Sequence, residues 1–157
     1  MKEYLKTIIL RHRKENLKKC SLLGLEGRED MEFHTYPKRH LPEKNNYILL
    51  SFDGKELSKE DENKGIYLID GTWKLAEKMT KTLPFKPKTR SLPKHFKTAY
   101  PRRQTGCSSP EEGLASIEAL YVAYMILGRD TSSLLDNYVF KEEFLEKNKN
   151  ANEQLKD

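Results

Sequence analysis

Three continuous apolar runs constrain this chain more than anything else in it: Thr7-Ile8-Ile9-Leu10, Tyr47-Ile48-Leu49-Leu50-Ser51-Phe52 and Ile66-Tyr67-Leu68-Ile69. Each is short, rich in β-branched or aromatic residues, and bounded by charge or glycine, which reads as strand. Asp53-Gly54 reads as the turn that closes the second run, and Gly65 opens the third. Unbroken runs belong to strands buried on both faces, and the long polar stretches between them leave room for crossovers, so the expected sheet is parallel. With 157 residues the chain has the length of one domain, 1–157.

After Thr72 the apolar period lengthens. Trp73, Ala76, Met79 and Leu83 recur at helical spacing, predicting a helix from about Trp73 to Thr82 that Pro84 stops. Pro84, Pro87, Pro93 and Pro101 then impose extended backbone and loops, with room for one short strand at Arg90-Ser91-Leu92. A second helix is expected to about Leu127, with Gly128 as its C-cap. Its start is ambiguous, because Ser109-Pro110-Glu111-Glu112 reads as a capping box but Gly113 interrupts it. The favoured reading is a single turn at Pro110–Glu112 and a true start at Ser116. A last helix is expected from Thr131 to Glu146, with a frayed polar tail over 148–157. Three strands and three helices in mixed order make an α/β domain.

Charge narrows the function classes. From Lys78 to Pro110 there is no Asp or Glu, while the same window holds Lys78, Lys81, Lys86, Lys88, Arg90, Lys94, Lys97, Arg102 and Arg103. A one-signed field of this kind neutralises phosphates, although it also describes a merely solvated basic face. The first twenty residues repeat the bias with Arg11, Arg13, Lys14, Lys18 and Lys19. His95, Phe96 and Tyr100 stand among the cations and could stack on unpaired bases, which favours RNA over duplex DNA. No apolar run approaches the roughly 18 residues of a spanning helix, so no membrane partner is expected and the cytoplasm is the expected compartment. Cys20 and Cys107 then read as free thiols, and the scattered His12, His34, His40 and His95 give no metal-ligand spacing.

Ligands of open α/β sheets sit beyond the carboxyl ends of the strands, and Asp70 stands at such an end, followed by Gly71. An acid there can simply cap the next helix, but Thr72 competes for that role. Trp73 is either a core aromatic or the wall of a pocket whose ring face suits a cation such as a sulfonium. Farther along, Gly113-Leu114-Ala115-Ser116-Ile117-Glu118-Ala119 places small residues at a helix start, where backbone N–H groups can bind carboxylates or phosphates.

These segments together carry a resemblance. Asp70-Gly71-Thr72-Trp73 with Ala76 and Met79, Arg90-x-Leu92-Pro93, Tyr100-x-Arg102-Arg103, and Gly113 to Ala119 resemble, in order and spacing, the superfamily of the DTW-domain proteins and the Tsr3 ribosome-biogenesis enzymes. The likeness spans about Cys20 to Asn148. It implies a SPOUT-like fold, a parallel sheet with a trefoil knot and helices on both faces. It implies S-adenosylmethionine as cofactor and transfer of its 3-amino-3-carboxypropyl group to a base nitrogen in RNA, uridine or pseudouridine in type. Small-subunit ribosomal RNA is the leading substrate, with transfer RNA as the competitor. A methyltransferase and a non-catalytic RNA-binding assembly factor are the alternative functions.

By the same resemblance Asp70 takes the proton from the base nitrogen or holds the cofactor's amino group, and Trp73 and Ala76 bury the unused methyl. Ser21, Ile69 and Leu92 contact the nucleoside, Thr72 belongs to the same cofactor set, and backbone groups of Leu114, Ala115 and Ser116 hold the rest. Lys88, Arg90, Lys94, Lys97, Tyr100, Arg102 and Arg103 form the expected RNA-gripping set, and no metal is implied.

Overall fold

The computed structural model describes residues 4–12, 22, 24–36, 46–70, 73–83, 86–99 and 114–156, with backbone alone for 52, 53, 73–76, 152 and 154–156. The three apolar runs become β1 (Thr7–His12), β3 (Tyr47–Glu56) and β4 (Gly65–Asp70). Two further strands join them, β2 (Met31–Tyr36) and β5 (Lys88–Ser91). All pairings are parallel, and the strand order is β2-β1-β4-β3-β5.

β1 and β4 lie inside the sheet, and every residue of β1 is buried. Successive side chains point to opposite faces, so a continuous apolar run feeds two cores at once. Ile9, Ile66 and Leu68 join Leu22, Ile117, Leu120 and Phe144 in the larger core. Ile8, Leu49 and Tyr67 form the smaller one on the other face, with Ile69 and Leu83 packed against it. Burial on that face pushes the Tyr67 hydroxyl up to about 12.

The helices are α1 (Trp73–Lys81), α2 (Ser116–Leu127), α3 (Lys141–Lys147) and α4 (Lys149–Lys156), with a 3-10 turn at Lys59–Asp61. α2 begins at Ser116 as the pattern predicts and ends at Gly128, whose φ of 74° lets Gly128 and Arg129 return their N–H groups to the last turn. The turn expected at Pro110–Glu112 lies outside the described residues.

Three expectations need correction. Asp53-Gly54 does not end a strand: β3 runs on to Glu56 through an irregularity in which Leu50 and Lys55 both pair with Arg90 of β5. Gly54 makes this possible, with φ of 101° and a Cβ position that would stand 2.5 Å from Thr89 Oγ1. The helix expected from Thr131 is a chain of turns up to Phe140, closed by bonds such as Tyr138 N–H to the Leu135 carbonyl at 2.9 Å, and α3 starts only at Lys141. Thr131, Ser132, Ser133, Asp136 and Asn137 bring short polar side chains that compete for backbone groups, and Asp130 already accepts from the Ser132 N–H at 2.9 Å. The tail beyond Lys147 is helical through Lys156, with Asn148 and Ala151 buried. The path from β5 to α2, on which the expected knot depends, runs through residues 100–113, outside the described residues.

Candidate functional site at the carboxyl ends of β1 and β4

β4 ends at Asp70, and β1 runs beside it in a register that sets Arg11 directly opposite. Cross-strand partners share a face, and the Arg11 Nε donates to Asp70 Oδ2 at 3.3 Å. Both are buried, Asp70 at 4% and Arg11 at 8% exposure. The guanidinium is fixed further: its Nη1 donates to Glu26 Oε1 at 3.2 Å and its Cζ lies over the Phe33 ring, 4.7 Å from the centroid. Glu26 Oε2 accepts in turn from the Gly24 N–H at 2.9 Å.

The other oxygen of Asp70 belongs to a different element. Ser116 Oγ, on the first residue of α2, donates to Asp70 Oδ1 at 2.7 Å. The strand-end acid and the distant helix start are therefore in direct contact. Leu114 packs partly buried against the main core and Ala115 is buried. Ala115, at the N-cap, offers no side-chain bond to the first turn of α2. Its own N–H is already engaged, donating to Glu118 Oε1 at 2.7 Å, so the backbone amide expected to hold a ligand there is taken.

Glu118 is fully buried and accepts four hydrogen bonds. Oε1 takes those of Ala115 N–H and Thr98 Oγ1 (2.6 Å), and Oε2 takes those of Ala99 N–H (2.9 Å) and Tyr138 hydroxyl (2.8 Å). Asn148 grips the preceding residue by accepting from Lys97 N–H at 2.7 Å and donating to the Lys97 carbonyl at 2.8 Å. Lys147 Nζ donates to the Thr98 carbonyl at 3.0 Å. The segment Lys97-Thr98-Ala99 is thus clamped between α2 and the C-terminal helices.

The other expected residues fall as follows. Ile69 faces the smaller core, away from Asp70, and Leu92 packs at the edge of the larger one. Trp73 and Ala76 occupy α1 immediately after β4, with their backbone described. Ser21, Thr72, Tyr100, Arg102 and Arg103 lie outside the described residues. Lys88, Lys94 and Lys97 are exposed. Arg90 is not: its side chain is 16% exposed, with Nε donating to Asp61 Oδ2 at 3.2 Å. Phe96, expected to offer a ring to bases, is 3% exposed in the core, and His95 stacks on it at 4.9 Å. Arg11, counted with the basic N-terminal stretch, is instead the buried partner of Asp70. Arg11 and Glu118 are the site residues missed in the sequence. The signal for each was a charged residue placed inside or at the end of an apolar element.

Among the described residues, no His, Cys, Asp and Glu group of three or more could hold a metal ion, and no helix is long and apolar enough to cross a membrane.

No family model matches the sequence, and no curated protein matches it. Among solved structures, the SAM-dependent rRNA:acp-transferase Tsr3 from Vulcanisaeta distributa superposes with a TM-score of 0.75 at 22% identity, over 98% of this chain and 83% of that one. The chain has the Tsr3 fold.

Proposed function

We propose that the protein is an S-adenosylmethionine-dependent transferase that places the 3-amino-3-carboxypropyl group on a base nitrogen of RNA, with small-subunit ribosomal RNA as substrate during ribosome biogenesis in the cytoplasm. One observation carries the reading: a buried carboxylate at the end of β4, held by Arg11 of β1 and Ser116 of α2, in a chain whose fold matches an rRNA:acp-transferase over 98% of its length. The ribosomal substrate is preferred to transfer RNA because that solved neighbour is described as acting on rRNA.

S-adenosylmethionine, when bound, supplies an electrophilic carbon beside its sulfonium, so that one N–C bond forms as one C–S bond breaks, methylthioadenosine leaves with the electron pair, and the base nitrogen gives up a proton. The residues fit that requirement. Asp70 would take that proton, its carboxylate held at Oδ2 by Arg11 and at Oδ1 by Ser116. Backbone groups of Leu114, Ala115 and Ser116, where α2 begins, are assigned to the rest of the cofactor by resemblance. Trp73 and Ala76 open α1 directly after the acid, on the element suited to walling off the unused methyl. Ser21, Ile69, Thr72 and Leu92 complete the cofactor set by resemblance, and the trefoil knot belongs to the same proposal.

The products of the cofactor test the reading. Incubation with 18S-type or 16S-type ribosomal RNA, and separately with transfer RNA, should release methylthioadenosine with the ribosomal RNA. Release of S-adenosylhomocysteine instead would make the protein a methyltransferase, and methylthioadenosine with transfer RNA alone would move the substrate.

A further inference from the structure

We infer that Arg11 is a positioning residue of the transfer reaction, acting through Asp70. The inference rests on the function proposed above and deepens its account of the acid. Four observations support it. Arg11 and Asp70 are register partners on β1 and β4, two strands inside the sheet, where backbone freedom is least. Burying a guanidinium is costly unless it is well paired, and the flanking residues of both strands show that an aliphatic side chain fills such a place readily, as Ile9 and Leu68 do. The planar fork is held on three sides, by Asp70, Glu26 and the ring of Phe33. Finally, Ser116 holds the second oxygen of Asp70 from α2, so that with Arg11 in place both oxygens are fixed from different elements.

A chain of contacts therefore crosses the carboxyl end of the sheet, from the Gly24 backbone through Glu26, Arg11 and Asp70 to Ser116. Its two ends are the Gly24 backbone and the start of α2, the latter assigned to the cofactor by resemblance. Arg11 acts on the carboxylate that it binds. Its part is to aim the carboxylate, and a misplacement of about 1 Å at such a group can cost on the order of 100-fold in rate.

A buried ion pair could instead serve stability alone, so the test must separate the two roles. The full-length protein is prepared as Arg11→Met, Arg11→Lys, Asp70→Asn and the two corresponding doubles. Single-turnover transfer rates on RNA are measured, with S-adenosylmethionine affinity measured by calorimetry. Arg11→Met should lower the transfer rate about 100-fold while the cofactor Kd moves by less than about threefold, and Arg11→Lys, which keeps charge but not the fork, about 10-fold. In the Asp70→Asn background either change should lower the residual rate by less than about threefold, because nothing remains to be aimed. If Arg11→Met does not fold, the Arg11→Lys arm gives the same comparison. Equal losses in both backgrounds, a full rate in Arg11→Lys, or a loss appearing only as weaker cofactor binding would overturn the inference while leaving the transferase reading intact. A wild-type protein without transfer activity, or full activity in Asp70→Asn, would instead remove the reading beneath it.

Discussion

Glu118 binds four donors with two oxygens, so its replacement by glutamine turns an amide N–H₂ toward hydrogen-bond donors. Glu118→Gln should lower stability by about 2–4 kcal/mol, from donors left unpaired at about 1–3 kcal/mol each; urea unfolding measures it, and an unchanged midpoint would contradict the role. Asp61 is a second buried acid with a different logic. Burial pushes its carboxyl up, but Lys64, the Ser58 N–H and Arg90 together outweigh that and hold it below its ordinary value. A depressed acid contributes stability above its unfolded pKa of about 4, and that contribution is lost as pH falls through the lower folded value. Asp61→Asn should therefore cost about 1–2 kcal/mol at pH 7, with Lys64 one-third exposed and partly screened, and the gap to wild type should close as pH falls through that lowered value. A gap independent of pH would contradict the ion pairs. At this scale the sequence was legible where a residue's position followed from its own element, as with Asp70 at the end of its strand. It was not legible for Arg11, because pairing depends on register with a strand more than fifty residues away.

Elements that follow one period were legible and mixed ones were not. The three apolar runs and the two helices at Trp73 and Ser116 stand where hydrophobic spacing placed them. β2, Met31–Tyr36, has no apolar run because it lies at the sheet edge and is only partly buried. The C-terminal region was misread for a related reason. Leu134, Leu135 and Tyr138 are buried from successive turns, which mimic helical spacing, and among the described side chains of α4 Lys149, Asn150 and Glu153 are exposed while Ala151 joins the core. The work of that end is polar, since Asn148 binds Lys97 through both backbone groups and also the Phe144 carbonyl. Asn148→Ala should cost about 1–3 kcal/mol and loosen the segment 97–99, seen as faster amide exchange at Lys97 and Ala99. Unchanged exchange there would mean that Glu118 and Lys147 hold the segment without it.

The whole molecule sets a buried acid at the carboxyl end of a parallel sheet and leads a clamped segment, Lys97-Thr98-Ala99, into the basic stretch that continues through Arg102 and Arg103. Lys94 and Lys97 are exposed on this approach, whereas Arg90 is engaged by Asp61. Replacing both Lys94 and Lys97 by Ala should weaken RNA binding and flatten its salt dependence by about 1.4 in log–log slope, at about 0.7 per phosphate contact on single strands. Arg90→Ala should act on stability instead, and an unchanged slope in the double variant would place the RNA path elsewhere. The central claim is the identity of the transferred group. Purified protein is given RNA and S-adenosylmethionine labelled in either the carboxyl carbon or the methyl carbon, and the label in the RNA is counted. The account predicts carboxyl label in the RNA and none from the methyl; label entering from the methyl alone would contradict it.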